Sequence, residues 1–246
     1  MSDYERNRVS GGTFAARTVA VDAGLRAHMI RVYNYMAAAV ALSGAIAWLT
    51  FNAAVTDGRL TPFGQTMFSP ATMIVLMLAT LGLVFFISFR IDRLQFTTAL
   101  SLFMIYAGLL GVTLAPIIVV YTGASITRVF FISAASFGAL SLWGYTTQRD
   151  LSGMGSFLIM GLFGIILASL VNIFLKSSGL EFVISCVGVL VFAGLTAWDT
   201  QKIKEMYNAY DDGTVAGRKA VMGALSLYLD FINLFLMLLR LIGDRR

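Results

Sequence analysis

Six stretches of the chain, residues 32–56, 60–89, 94–127, 129–148, 151–175 and 182–198, contain no Asp, Glu, Lys or Arg, and a seventh, 220–239, is interrupted only by Asp230. A helix that crosses lipid needs about 20 mostly apolar residues. Trimmed at their Gly, Pro and Asn punctuation, the runs predict seven spans near 33–51, 71–89, 97–117, 129–145, 156–175, 182–202 and 220–239. The runs are continuous, whereas a transmembrane β-strand alternates over about ten residues, so the expected fold is an all-α, polytopic membrane protein. Composition agrees: 58% of the 246 residues are hydrophobic, 13% are charged and the mean hydropathy is +0.81, values that exclude an ordinary water-soluble domain.

A formal net charge of +5 suggests nucleic acid until its distribution is considered. Twelve Lys and Arg fall on one side of the predicted spans: five in residues 1–31, two after span two, one after span four and four after span six. The other side has six. The positive-inside rule accounts for this asymmetry without a nucleic-acid partner and places the N-terminus in the cytoplasm. If all seven segments cross, the C-terminus lies outside. Arg240, Arg245 and Arg246 pull against that, and the alternative is a seventh segment that re-enters.

The expected organisation is a cytoplasmic tail over 1–31, a seven-helix domain over 32–243 and a short tail over 244–246. Residues 1–31 lack the apolar core of a cleavable signal. Within them "LRAHMIRVYNYM" reads as a helix entering span one, with His28 on its interfacial face. Trp48, Trp143 and Trp198 fall toward span ends, where amphipathic rings collect. Glycines in spans three, five and six predict close helix packing, and Pro116 predicts a kink or an end in span three. Cys186, the one cysteine, excludes a disulfide within the chain.

The segment "LSLYLDFINLFLML" poses the functional question, because a carboxylate at the bilayer centre costs at least about 2.5–3.5 kcal/mol and needs a partner or water. Helical periodicity puts Gly223, Ser226, Asp230 and Asn233 on one stripe. The nearest candidate partner is Asp199 in "GLTAWDTQKIKEMY", which enters the membrane if its helix extends to Lys202 or Lys204 and those side chains snorkel. Counted from the predicted inner ends, Asp199 lies about 8 Å deep and Asp230 about 15 Å, a gap that helix tilt would have to close. Two carboxyl groups brought together in a low-dielectric site resist simultaneous ionisation and share a proton.

"AWDTQKIKEMY" followed by "ALSLYLDFINLFLMLLR" resembles the closing signature of the Bax inhibitor (TMBIM) family, as a bacterial-type member, and the resemblance extends over the seven-span region; "GVTLAPI" and "NIF" at 172–174 add to it. The resemblance implies six helices around a central seventh and a calcium leak that responds to pH, with Asp199 and Asp230 as pH sensor and transient metal ligands. It implies an arginine counter-charge near the end of span two, at Arg93 or Arg90. The acidic residue that some relatives carry within span two has no counterpart here. Calcium prefers six to eight oxygen ligands, so carbonyls, water and the polar side chains of Asn172, Ser226 and Asn233 are expected to complete a weak site.

The expected partners are the bilayer itself and a membrane protease or stress-response protein, the latter because family relatives are linked to cell-death suppression and membrane proteolysis. The rival reading is such an interaction protein without ion conduction. An intramembrane aspartyl protease also pairs two aspartates, but "SLYLDF" lacks the glycine-containing surroundings of the second protease aspartate, so no enzyme is expected. No cofactor motif is present: "GMG" at 153–155 has no phosphate-binding context. The expected location is a bacterial inner membrane.

Overall fold

The computed structural model describes residues 23–246. Among them seven helices are long and apolar enough to cross a membrane. Helix α1, over Ala23–Ala54, is followed by a two-stranded hairpin, β1 (Val55–Thr56) and β2 (Arg59–Leu60), and by the short helix α2 (Pro62–Met67). Then come α3 (Pro70–Arg90), a 3-10 turn at Ile91–Arg93, α4 (Phe96–Val120), α5 (Gly123–Thr146), α6 (Ser152–Leu175), α7 (Ser178–Glu205) and α8 (Gly213–Ile242). The expectations for residues 1–22 lie outside the described residues.

The helices outrun the charge-free stretches because their ends carry polar caps and snorkelling charges. Helix α8 begins at Gly213 because the Asp212 carboxylate accepts hydrogen bonds from the Thr214 and Val215 N–H groups, both at 2.8 Å. Helix α7 extends to Glu205 because Lys202 lies over the Trp198 ring, 5.0 Å from its centroid, and Lys204 donates to the Tyr145 carbonyl at 3.0 Å. Pro116 does not end α4, which continues to Val120. His28, expected on an interfacial face, is instead buried against Tyr207 of the α7–α8 loop.

Helix α8 crosses the whole bundle. Its N-terminal end, on the side that the positive-inside reading makes the inner one, lies with the α3–α4 connection, where Arg218 donates to the Asp92 and Leu94 carbonyls. Its outer end lies with the α4–α5 connection: the Thr122 N–H donates to the Asp244 carbonyl at 3.1 Å and the Arg246 N–H to the Val120 carbonyl at 2.9 Å. A re-entrant seventh segment is therefore excluded. Half of its most apolar window is buried, against 11% in α3 and in α6. It packs on α1, α4, α5 and α7, while α3 packs on α4 and α6 on α7. Large side chains on the outer helices, Phe89 and Phe174 among them, face outward, as a lipid-clad surface requires.

Polar ties group the helices into two sets, and α8, placed with the first by its hydrogen bonds, packs most extensively on α7 of the second. One is α1, α3, α4 and α8: the Ser43 hydroxyl donates to the Ala107 carbonyl at 2.7 Å and shares a 2.6 Å hydrogen bond with the Tyr228 hydroxyl, and a Cβ at Gly111 would lie 2.6 Å from the Ser43 carbonyl oxygen. The other is α5, α6 and α7. Ser141 and Thr200 hydroxyls meet at 2.8 Å, and Gln201 both accepts from the Leu151 N–H and donates to the Arg149 carbonyl, each at 2.8 Å.

Where α5 crosses α7, a Cβ at Gly144 would lie 2.2 Å from the Ala197 carbonyl oxygen. Gly144→Ala is expected to lower the melting temperature in detergent by the equivalent of about 1–3 kcal/mol, whereas Gly138→Ala, on an open part of the same helix, is expected to leave it unchanged or raise it slightly. Single cysteines at Asn208 and Arg246 in a Cys186→Ser background are expected to react with an impermeant thiol reagent from opposite faces of a sealed vesicle.

Candidate functional site

The α7–α8 register decides whether the two aspartates meet. Glycines set it: a Cβ at Gly188 would lie 2.8 Å from Met237 and one at Gly223 would lie 3.0 Å from Ile203. Each pair fixes an antiparallel match in which the two residue numbers add to about the same total. Asp199 consequently falls opposite Leu227, one helical turn from Asp230. The apparent depth mismatch is removed by register, because α7 continues six residues past Asp199 and α8 begins seven residues before 220. No exceptional tilt is required.

The carboxyl groups of Asp199 and Asp230 lie within hydrogen-bonding reach of one another. Asp230 is 5% exposed, and its Oδ2 has no hydrogen-bond partner among the described residues. Asp199 is half-buried. Two facing carboxyls both accept when ionised and offer no donor to each other, so holding them together takes a shared proton or a cation. Thr196, one turn before Asp199, is buried, but its hydroxyl donates back to the Phe192 carbonyl at 2.8 Å.

The other predicted residues are placed as follows. Ser226 is half-buried one turn before Asp230. Asn233 is half-buried and its amide donates to the Leu229 carbonyl at 2.8 Å. Arg90 and Arg93 are exposed at the inner end of α3 and in the following turn. The turn docks on α8 at Arg218, twelve residues or about 18 Å along the helix from Asp230, so neither arginine reaches the pair in this state. Asn172 lies near the outer end of α6, where its side-chain oxygen accepts from the Ser177 N–H at 3.0 Å. It lines an outer cavity of about 390 Å³ with Glu181 and Arg240. Glu181 is eighteen residues, or about 27 Å along α7, from Asp199, so Asn172 is not a ligand at the pair. Among the described residues no cluster of three or more His, Cys, Asp or Glu could hold a metal ion.

Sequence reasoning missed a hydroxyl chain beside Asp199. The Tyr33 hydroxyl on α1 meets the Ser141 hydroxyl on α5 at 2.6 Å, and Ser141 meets Thr200, the residue after Asp199. The signal was weak, since hydroxyl residues in lipid commonly bond to their own helix, as Ser133 does. The Tyr228 ring, edge-on to Phe103 and Tyr106 of α4 at 5.6 and 5.9 Å, was likewise missed.

Residues 25–246 match the family described as Inhibitor of apoptosis-promoting Bax1. The chain belongs to the Bax inhibitor family. Among the similar proteins of this family, the RP147 protein of Rickettsia prowazekii is 47% identical over 246 residues, covering both chains in full. The inner membrane protein YbhL of Escherichia coli is 47% identical over 226 residues, 91% of this chain and 94% of that one. A Caulobacter vibrioides protein is 42% identical over the full length of both. The match takes in both aspartates and every span.

The Ser43–Tyr228 contact gives an asymmetric prediction. Ser43→Ala strands a buried Tyr hydroxyl, and thermal unfolding is expected to show a loss of about 1–3 kcal/mol. Tyr228→Phe leaves the Ser43 hydroxyl with the Ala39 and Ala107 carbonyls as alternative acceptors, so its loss is expected to be the smaller of the two.

Proposed function

We propose that this member of the Bax inhibitor family is a pH-sensitive calcium leak path in a bacterial inner membrane, gated by Asp199 and Asp230, with its N-terminus in the cytoplasm. The observation that supports this reading is the meeting of two carboxyl groups from adjacent spans inside an apolar bundle, with one Asp230 oxygen unpartnered. While they share a proton, the pair latches α7 to α8. When that proton leaves, like-charge repulsion favours separation and water entry. A cation then takes over as the neutralising charge.

Two carboxylates supply fewer oxygens than calcium prefers. Ser226 and Asn233, on the same face of α8, and water are proposed to supply others, giving weak binding suited to passage. Arg90 and Arg93 are proposed to act as counter-charges only after the inner ends of the helices have moved. Asn172 is reassigned to the outer mouth beside Glu181. The location in the inner membrane is carried over from the name of the Escherichia coli relative.

Calcium flux from liposomes containing the full chain is expected to rise as pH rises, because deprotonation opens the latch. Asp199→Asn and Asp230→Asn are each expected to abolish that dependence. An unchanged pH profile in both variants rejects the gate. A wild-type protein that carries no flux in liposomes, yet regulates stress or membrane proteolysis in cells, would instead support the interaction protein.

A further inference from the structure

The two helix sets leave a lateral seam between α1 and α5. These helices are bridged by the Tyr33–Ser141 hydrogen bond rather than packed along their length. Three cavities follow one another along the seam. The inner one, about 470 Å³, is lined by Met29, Tyr33, Phe137, Gly138 and Tyr145. The middle one, about 460 Å³, lies between Ala37, Ala41 and Gly44 of α1 and Ala134 of α5, with Phe231 of α8 as its floor. The outer one, about 160 Å³, shares Val40, Gly44, Phe130 and Phe231 with it. Small side chains keep the walls apart, and a Cβ added at Gly44 or Gly138 would meet nothing within 4 Å.

The inner mouth is cationic. The Lys204 ammonium is 3.0 Å from the Tyr145 carbonyl and 5.5 Å from the centre of the Tyr145 ring. An ammonium has three donors, so two remain for a ligand. Helical periodicity puts Arg26, two turns before Tyr33, on the seam side of α1, and Arg149 follows Tyr145 by four residues in the α5–α6 loop; both are exposed. From Met29 to Gly44 the seam runs about 23 Å, most of a hydrocarbon core about 30 Å thick.

We infer that the seam binds an anionic phospholipid of the inner leaflet, its acyl chain along the α1–α5 groove and its phosphate at Lys204, Arg26 and Arg149. Charge complementarity at the mouth selects a lipid over an uncharged occupant. The Tyr33–Ser141 bridge selects a thin chain over a helix, which is about 10 Å across and would have to displace the bridge. A bound chain lies over that bridge, two hydrogen bonds from the residue that follows Asp199.

The test is native mass spectrometry of the full chain with phosphatidylglycerol or phosphatidylcholine carrying identical acyl chains. Wild type is expected to retain phosphatidylglycerol preferentially. Lys204→Gln and Arg26→Gln are each expected to lower that retention by about fivefold and to leave phosphatidylcholine unaffected. Gly138→Leu and Gly44→Leu, which fill the seam from opposite walls, are each expected to lower retention of both lipids, and circular dichroism identifies which of them fold. Equal retention of both lipids by wild type, unchanged retention in a folded seam variant, or a dimer mass lost on filling the seam would overturn the inference. The readout is binding, so it stands apart from the proposed gate.

Discussion

Everything distinctive in this bundle follows from two carboxyl groups that meet where the surroundings are apolar. A lone carboxylate there costs several kcal/mol and would favour a different packing of α8. Placing a second carboxyl within reach lets a shared proton or a cation neutralise the pair, and that arrangement holds only while α7 and α8 keep their register. Gly188 against Met237 and Gly223 against Ile203 supply it, one contact on each side of the pair. The enclosure of α8 has the same origin, since a helix carrying Asp230 and Tyr228 has polar groups to hide from lipid that α3 and α6 lack.

The number of spans, their order and the two aspartates were legible in the sequence because each is a one-dimensional signal: a run without charge, or a charge within a run. The span ends were not, because they depend on side chains that reach back, such as Asp212 capping α8 and Lys204 reaching Tyr145. The pairing of Asp199 with Asp230 was readable as chemistry but not as geometry, since the depth comparison assumed that both helices begin at the edge of their apolar runs. Asn172 was misplaced for a related reason: an asparagine in a span looks like lining, and only the Ser177 N–H it caps reveals it as a helix end. His28 needed the α7–α8 loop to be in place before its burial against Tyr207 was visible.

The positive-inside reading and the crossing of α8 pull against each other at the C-terminus, where Arg245 of the three C-terminal arginines is ion-paired. Arg245 lies 3.2 Å from Glu181 and 5.9 Å from the centre of the Tyr121 ring, and Arg128 lies 2.8 Å from Asp244. Exposed pairs of this kind contribute little stability each. Their value here is positional, because with the backbone bonds at Thr122 and Arg246 they tie the outer end of α8 to α4, α5 and α7.

That clasp also determines where the two helix sets are able to part. At the outer end α8 is tied to both sets through Asp244 and Arg245. At the inner end the side-chain ties run within each set, α8 to the α3–α4 turn through Arg218 and α7 to α5 and the α5–α6 loop through Lys204 and Gln201, while the α7–α8 loop, ion-paired to α8 through Asp211 and Lys219 and packed on His28 of α1, joins the two. Between these ends the polar links across the divide are the aspartate pair and the Tyr33–Ser141 bond, both on the inner side of the clasp; the close approaches at Gly188 and Gly223 hold the α7–α8 register by shape rather than by hydrogen bonds. In the proposed gate, loss of a shared proton removes one of the two links. Motion of that gate about the outer clasp, within the slack of the seven-residue α7–α8 loop, would widen the inner end, where Asp199 is only about 9 Å from the end of α7, and would carry Arg90 and Arg93 with the α8 set. In the gate so proposed, water would enter from the α7–α8 loop side before the apolar layer around Ile184 and Met237 yields, which would make the other half of α7 and α8 the higher barrier to passage.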